Sequence, residues 1–299
     1  MILPTKISVV VATYRRYNEL FRALESLAEQ TMTEFEIVLV DDNDDPSWNN
    51  RVQSVVKNFK EKYANIHVVC LENHPNLGSA QARNAGITAS CGTYVTFLDD
   101  DDVYMPEKLK SQYEFMVSES LDFSITDLAL YFDDGKFCER RRRQYIKKTD
   151  KESLLRYHMM YHLTGTDTMM FTKTYLDYIG GFAPIDIGDE FYLMERAIRG
   201  GGKFGRLERC DIKAFVHKGE SGLSSGQSKI SGENQLYQYK KQFFNEFDNR
   251  TIRYIRMRHH AVLAFAYLRQ KKMLGFFKES LSSFVSAPIS CVGLFCHRG

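Results

Sequence analysis

Acidic side chains lie in three places where an apolar or helix-forming stretch begins or ends. Asp41 and Asp42 follow the apolar run FEIVLV, and four aspartates at 99–102 follow YVTFL. Asp189 and Glu190 open a segment with helical spacing. Adjacent carboxylates raise one another's pKa, so four in a row are costly unless the loop is solvated or a cation is bound. Because hard divalent cations bind carboxylates together with substrate phosphates, the run at 99–102 is a candidate metal and phosphate site.

The elements that would position these acids alternate between strands and helices. Apolar, β-branched runs predict buried strands at 6–13, 35–43, 65–72 and 94–100, and apolar residues at helical spacing predict helices at 18–31, 48–63 and 78–90. This alternation predicts βαβ units with right-handed crossovers and a mainly parallel sheet. The carboxyl ends of parallel strands share one edge, where open α/β sheets bind ligands. We therefore expect the first two acidic groups to face one crevice.

The pattern changes after residue 106. The sequence predicts a helix at 106–119, a strand at 122–132, and helices at 151–162 and 189–202. It then predicts a strand running into a Gly/Ser-rich loop at 210–228, and helices from 230 to 284. We expect one domain at 1–229, with a Rossmann-like nucleotide-binding half (1–105) and a mixed acceptor half (106–229), followed by a helical C-terminal extension (230–299).

The basic run at 138–148 favours a solvated loop, with contact to phosphate or a membrane as the alternative. The Gly/Ser-rich segment is either a lid over bound donor or a linker.

Composition limits the class of protein. The chain has 299 residues, 43% of them hydrophobic and 26% charged, and a net charge of +2, which favours a globular protein and does not predict nucleic-acid binding. Six cysteines without a C-x-x-C pair or zinc-finger spacing favour a reducing compartment. The N-terminus lacks a signal-peptide pattern, and no apolar run reaches the length of a membrane span. We expect a cytoplasmic protein whose C-terminal helices are candidates for peripheral membrane contact or homo-oligomer formation.

Five segments, in this order, resemble the successive motifs of family 2 glycosyltransferases. They are SVVVATYRR, FEIVLVDDN, NLGSAQARNAGI, YVTFLDDDDVYMPEKL and GDEFYLMERA, and the resemblance covers roughly residues 6–220. In a member that acts on spore-coat polysaccharide, the acidic segment similarly runs into YMP. The resemblance implies a GT-A fold and an inverting hexosyltransferase that depends on Mn²⁺ or Mg²⁺. It also implies a nucleotide-sugar donor, expected to be UDP-linked, and a carbohydrate, lipid-linked or protein acceptor in cell-surface or spore-coat polysaccharide synthesis.

The resemblance also implies which residues bind the nucleotide. They are Ala12, Thr13, Tyr14, Arg16, Asp42, Arg83, Asp99 and Asp100. The loop after the first strand would cradle the base, and Asp42 would accept a hydrogen bond from a uracil ring nitrogen. Two of these assignments have structural alternatives, because an acidic pair after a strand can cap a helix and Arg83 can be a surface ion-pair residue.

The metal site implied by the resemblance has two members. Asp101 would bind the ion, with Asp102 as the alternative because the fourth acid leaves the register open by one. His217, which follows AFV, would approach the metal and diphosphate, although a lone histidine is more often structural.

The catalytic base implied by the resemblance is one of an acidic pair that opens a helix. Family members commonly have Glu-Asp there, whereas this chain has Asp189 followed by Glu190. Alignment on IGD favours Asp189, and counting back from Arg196 favours Glu190; of the two, Asp189 is slightly preferred. The structural alternative is a pair of acids that complements the helix dipole. Asp167, Asp186 and His217 are the next candidates.

Two other functions are compatible with the nucleotide-binding half. A sugar-1-phosphate nucleotidyltransferase shares the βαβ start but requires a Gly-rich loop after the first strand, and ATYRRYNE contains no glycine. A nucleotide-binding assembly module without turnover is the non-enzymatic alternative. Acids at all three sites argue against it, and the reversed pair at 189–190 keeps it open.

Overall fold

The structure is a computed structural model that describes residues 5–163, 165–185, 188–216 and 226–296. The strands are β1 (Ile7–Thr13), β2 (Phe35–Asp41), β3 (His67–Glu72), β4 (Tyr94–Phe97), β5 (Val103–Tyr104), β6 (Phe123–Thr126), β7 (Leu128–Phe132), β8 (Phe137–Arg141), β9 (Met169–Thr172), β10 (Phe204–Leu207) and β11 (Ile212–Val216). The helices are α1 (Asn18–Ala28), α2 (Pro46–Lys62), α3 (Ser79–Ala89), α4 (Lys108–Ser118), α5 (Lys151–Tyr161), α6 (Lys173–Tyr178), α7 (Asp189–Gly200), α8 (Gly226–Lys241), α9 (Asn249–Arg269), α10 (Met273–Ser286) and α11 (Pro288–Cys296).

The predicted parallel half is confirmed. The large sheet has the order β10-β6-β9-β4-β1-β2-β3, and β4, β1, β2 and β3 are all parallel. Strand β2 is buried along its whole length, as expected for a strand covered on both faces. Helix α3 lies close against the sheet because residue 86 is glycine, and a Cβ at that position would overlap Val10. This close approach brings the N-terminal part of α3 to the carboxyl edge of the strands.

The second half is mixed, as predicted, but two local expectations were wrong. The strand expected at 122–132 is two strands: β6 pairs with β9 and β10 in the large sheet, and β7 joins the second sheet, whose order is β5-β11-β7-β8. The break is at Asp127, whose N–H bonds to the Arg209 carbonyl instead of continuing a ladder. The basic run is not a loop throughout, because 137–141 form the exposed edge strand β8, antiparallel to β7.

The chain divides into two compact units. Among the described residues, unit 1 comprises 5–151 and 163–216, with the gaps given above, and unit 2 comprises 152–162 and 226–296. Unit 1 contains both sheets. Unit 2 consists of helices, and most of α5 belongs to it although α5 lies in the middle of the chain. The expected extension from residue 230 stays a prediction.

Unit 2 is held by contacts between its helices. Tyr161 of α5 packs edge-on against Tyr254 of α9, with ring centroids 5.1 Å apart. Lys240 of α8 is buried and donates from Nζ to the Met159 carbonyl at 2.9 Å. No helix in the described ranges is both long enough and apolar enough to cross a membrane.

Candidate active site

The loops after β1 and β4 meet at the carboxyl edge of the sheet. The Thr13 hydroxyl donates to Asp100 Oδ2 at 2.7 Å, and the Tyr14 N–H points to the same oxygen at 3.4 Å. The Arg16 guanidinium pairs with Asp101 Oδ2 at 2.8 Å. Burial, followed by the charge of Asp101, raises the pKa of Asp100 to about 7. The structure therefore brings these predicted nucleotide-binding residues into contact with the acidic run.

Ala12 and the loop after β2 complete this part of the edge. Ala12 lies beside Val40 in the parallel register of β1 and β2. The Arg15 N–H donates to Asn43 Oδ1 at 2.6 Å, so the loops after β1 and β2 are tied together. Arg15 has a φ of +52°, a conformation that a hydrogen-bonded loop can stabilise.

Neither acid at the end of β2 caps a helix. Asp41 is buried and accepts hydrogen bonds from the side chains of Asn43 at 2.7 Å and Asn49 at 3.0 Å. Helix α2 is capped instead by Asp45, which accepts from two N–H groups of its first turn. The capping interpretation of the acidic pair was therefore wrong.

Asp42 organises the loop that follows β3. Its carboxylate accepts from Asn73 Nδ2 at 2.8 Å, Asn76 Nδ2 at 3.0 Å, Leu77 N at 2.9 Å and Gly78 N at 2.9 Å. A carboxylate has about four acceptor positions, so the loop uses its full capacity. Asp42 is 3% exposed. These contacts give it a role in positioning the loop that leads into α3.

Arg83 connects the acidic run to the acidic pair at the start of α7. Its Nη2 lies 2.6 Å from Asp99 Oδ1, and its Nη1 lies 2.5 Å from Asp189 Oδ2. The Ser79 hydroxyl donates to the same Asp189 oxygen at 3.2 Å. The Arg83 side chain is only 12% exposed, so this residue is a buried bridge and not a surface ion-pair residue. The three acidic groups singled out in the sequence thus share one edge of unit 1.

Two members of the acidic run form a cluster of three aspartates with Asp167, in which Asp99 is partly exposed and the other two are buried. Asp99, Asp102 and Asp167 each offer a carboxylate oxygen, and these oxygens lie within 4.8 Å of one another. The Asp99 N–H donates to Asp167 at 2.7 Å, and the Phe215 N–H donates to Asp102 at 2.9 Å. Burial is the main reason that the pKa of each of the three carboxyl groups is raised, and neighbouring carboxylates add to it for Asp99 and Asp102. Three carboxylate groups this close together, of which only Asp99 pairs with Arg83, fit a hard divalent cation.

The members of this cluster differ in part from the predicted metal ligand. Asp101 is not one of the three and pairs with Arg16 instead, whereas the alternative, Asp102, is one of them. Asp167 was expected only as a reserve candidate for the base. It lies in a single 3-10 turn, Thr166–Thr168, that leads into β9, and the antiparallel pairing of β9 with β4 brings it to the acidic run. Because that pairing is not readable from local sequence, no spacing rule could identify the residue.

Asp189 and Glu190 have different surroundings although they are neighbours. Asp189 is 4% exposed, is paired with Arg83 and accepts the Glu190 N–H at 2.8 Å. Glu190 is half-buried, and burial followed by the charge of Asp189 raises its pKa to about 7. A carboxyl group with that pKa is suited to exchange a proton near neutral pH.

A buried lysine supports the backbone beneath the site. Lys108 Nζ donates to Thr96 Oγ1 at 2.8 Å and to Tyr104 Oη at 3.0 Å, and burial lowers its pKa to about 7. The Tyr104 hydroxyl in turn reaches the carbonyls of Phe97 and Asp167. Sequence reasoning missed this pair, because Lys108 occupies an ordinary position at the start of a predicted helix.

Several expectations concern residues outside those described. His217 and Asp186 lie there, as do residues 217–225, which include most of the proposed lid or linker. They remain predictions.

Comparison with known proteins gives relatives that are named as glycosyltransferases. Three from Rickettsia species are 31% to 33% identical over 45% of this chain, but the chain spans only 18% to 21% of their length. WfaP of Escherichia coli, named as a UDP-Glc:alpha-D-GlcNAc-diphosphoundecaprenol beta-1,3-glucosyltransferase, is 29% identical over 40% of this chain and 45% of its own. TuaG of Bacillus subtilis, a putative teichuronic acid biosynthesis glycosyltransferase by name, is 33% identical over 43% of this chain and 49% of its own.

Solved structures share the fold. TarS 1-349 of S. aureus in complex with UDP-GlcNAc superposes with a TM-score of 0.60 at 19% identity, covering 94% of this chain and 91% of that one. The mannosyltransferase PcManGT of Pyrobaculum calidifontis, in complex with GDP-Man and Mn²⁺, gives 0.59 at 15% identity, covering 98% and 79%. The expected GT-A fold is confirmed.

The family model described as glycosyl transferase family 2 matches residues 8–179. This range is more than half of the chain and runs from β1 through α6, so it contains the loops after β1, β2 and β4 that form the edge described above. The expected family is confirmed: the chain belongs to glycosyl transferase family 2.

Proposed function

We propose that this protein is a metal-dependent, inverting glycosyltransferase that moves a sugar from a UDP-linked donor to a hydroxyl group of an acceptor. The observation that carries the proposal is the buried Arg83 bridge, which ties Asp99 of the acidic run to Asp189 beside the candidate base. One guanidinium thereby fixes the distance between the site for the leaving diphosphate and the site for the attacking hydroxyl. The names of WfaP and the TarS complex, both of which contain a UDP-sugar, support the choice of donor.

The residues present fit the divalent cation that the family implies. Asp99, Asp102 and Asp167 would hold Mn²⁺ or Mg²⁺, with Asp101 at the rim of the same run. When bound, the ion would offset the charge of the donor diphosphate and of the departing nucleoside diphosphate. The role of His217 as a further ligand stays a prediction.

Glu190 is the base in this proposal, and Asp189 positions it. Inversion requires one group to take the proton from the acceptor hydroxyl as that oxygen attacks the anomeric carbon. Asp189 is poorly placed because both of its carboxylate oxygens are already engaged, Oδ2 by Arg83 and Ser79 and Oδ1 by the Glu190 N–H. Glu190 has a pKa of about 7, and its side chain is only partly buried. We therefore favour Glu190 as the base, although the sequence alone slightly favours Asp189.

The nucleotide would bind along the loops after β1 and β2. Thr13, Tyr14 and Arg16 already contact the acidic run, and Asp100 would meet the ribose. Asp42 would act mainly by fixing residues 73–78, since its acceptor positions are occupied by that loop. A direct bond from Asp42 to the base would require one of those donors to move away.

The acceptor class is proposed from the relatives alone. The name of WfaP specifies a sugar on a diphosphoundecaprenol carrier. A lipid-linked carbohydrate is therefore the acceptor that we would test first, before a free polysaccharide or a protein.

Calorimetric titration with UDP tests the nucleotide and metal parts of the proposal. Affinity should be higher with Mn²⁺ than with EDTA, and Asp102→Asn should remove most of that difference. Asp134→Asn, in the exposed turn between β7 and β8, is a matched control that should bind as the unmodified chain does. Equal affinity with and without the metal would refute the proposed cation site.

Hydrolysis of UDP-sugars in the absence of acceptor tests turnover. A glycosyltransferase should release UDP slowly from its own donor sugar, and the release should be lost in Glu190→Gln. Tight UDP binding without release from any UDP-sugar, and without transfer to lipid-linked acceptors, would favour the assembly module instead.

A further inference from the structure

Two C-terminal helices of unit 2 expose an apolar face. Leu274 and Ile289 are each 90% exposed, and Phe277 and Leu281 are 63% and 64% exposed. Met273, Phe284 and Val285 of α10 and Val292 of α11 are further exposed apolar side chains. Single exposed apolar residues are ordinary, but a contiguous row at helical spacing marks an interaction surface.

The opposite face of α10 explains why the apolar residues point outward. Gly275 lies against Tyr267, where an added Cβ would be 2.7 Å from the ring. Glu279 pairs with Nδ1 of His260 at 2.7 Å. The Ser283 hydroxyl donates to a carbonyl of α9 at 2.9 Å and is 1% exposed. Small and polar residues of α10 thus face α9, and the large apolar residues face solvent. An ordinary amphipathic helix packs its apolar side against the protein and exposes its polar side.

The charges around the apolar face are almost all positive. From 268 to 296 the charged residues are Arg269, Lys271, Lys272, Lys278 and Glu279. The four cationic residues are exposed, whereas the one acid is half-buried and paired with His260. The solvent-facing side of this segment therefore combines large apolar side chains with uncompensated cationic ones.

We propose that the exposed face of α10 and α11 binds the surface of an anionic lipid bilayer. Interfacial helices bury Leu and Phe among the acyl chains while flanking Lys and Arg contact lipid phosphates. A second copy of the chain is a less suitable partner for this face, because a symmetric contact between two such faces would bring like charges together. The helices lie on the membrane surface in this arrangement and do not cross the bilayer, consistent with their length.

Vesicle sedimentation of the full chain tests this surface. The chain should sediment with vesicles of phosphatidylcholine and phosphatidylglycerol, bind pure phosphatidylcholine much more weakly, and dissociate as salt is raised. Phe277→Glu and Leu281→Glu should each weaken binding by about tenfold or more, because each removes a large apolar group from the lipid. Lys272→Glu combined with Lys278→Glu should weaken binding to anionic vesicles only.

Val117→Glu is the matched control, since Val117 is an apolar residue of α4 that is 47% exposed in unit 1. It should leave vesicle binding unchanged, and circular dichroism should show that all variants stay folded. Absence of sedimentation with anionic vesicles would overturn the proposal, as would equal binding by the Phe277→Glu variant. A dimer in sedimentation equilibrium that Leu281→Glu dissociates, without vesicle binding, would assign the face to self-association. Because no donor or acceptor is present, the outcome is independent of the sugar-transfer assays.

Discussion

Replacement of Glu190 by glutamine should abolish transfer and at the same time stabilise unit 1. Glutamine keeps the shape of the side chain but cannot take a proton. Loss of a general base costs about 10²- to 10⁴-fold in rate, and we expect a fall in kcat of that size. UDP affinity should be nearly unchanged, because the base acts mainly in the transition state.

The stability gain follows from the raised pKa of Glu190. Burial, the largest cause, and then Asp189 raise the pKa from 4.5 to about 7 in the folded chain. Below pH 4.5 both the folded and unfolded states are protonated and Glu190 costs nothing. As pH rises from 4.5 to about 7, the unfolded state loses its proton first, so the stability falls by roughly 3 kcal/mol and stays lower above pH 7. The glutamine variant lacks this cost and should be more stable at pH 8 but not at pH 4.

Urea denaturation followed by tryptophan fluorescence measures the free energy of unfolding of unit 1, which contains Glu190. The single tryptophan, Trp48, is in α2 and therefore reports on unit 1. Asp189→Asn is the contrasting variant, because it removes the charge of the buried partner of Arg83 and should destabilise unit 1. An inactive but destabilised Glu190→Gln chain would show that the residue acts only structurally. Full activity in this variant would remove the base from this position.

Three further outcomes follow from the contacts. Arg83→Met should lower the free energy of unfolding by about 3–5 kcal/mol in urea denaturation, because Asp99 and Asp189 lose their buried cation; Arg83→Lys should restore only part of it, since an ammonium cannot span both carboxylates. Asp42→Ala should weaken UDP binding in calorimetry equally with Mn²⁺ and with EDTA, because it releases the loop at 73–78 and leaves the acidic cluster intact. Burial lowers the pKa of Lys240 from 10.5 to about 7, so between these pH values the unfolded state binds more protons than the folded state and stability rises with pH. Amide hydrogen exchange in unit 2, corrected for the intrinsic exchange rate, should therefore slow as pH rises through this window. Lys240→Met should remove that pH dependence.

The sequence predicted the parallel half of the fold because the signals there are local. Each β-branched run is followed by a helix with one apolar face, and the connections are short, so the order along the chain determines which strands are neighbours. The acidic ends of β2 and β4 were expected at one edge for the same reason. The mixed half was harder, since β9 inserts between β4 and β6 and pairs antiparallel to both.

The parts of the site that the sequence did not predict depend on contacts distant along the chain. Asp167 reaches Asp99 across 68 positions, and Arg83 reaches Asp189 across 106. The sequence also could not show that adjacent residues of one motif have different bonding partners. Asp41 and Asp42 are adjacent in sequence, yet one is bonded to α2 and the other to the loop after β3. Alternate side chains at the end of a strand point in opposite directions, so their partners depend on the layers above and below the sheet.

The acids concentrated at this edge lower the stability of the folded chain, and contacts elsewhere in the fold offset this loss. The pKa is raised at four aspartates of the site, Asp99, Asp100, Asp102 and Asp167, so each is less stable as an anion here than in water. The fold tolerates this because Arg83 and Arg16 offset part of the charge of the run. In addition, Gly86 allows α3 to lie close against the sheet, and Lys108 and Tyr104 hold the backbone beneath the site. A sequence optimised for stability alone would remove such carboxylates, whereas binding of a cation and its phosphates would be driven by relief of the repulsion. The same unfavourable ionisation that weakens the unliganded fold would thus be a source of affinity for the ligand that we propose.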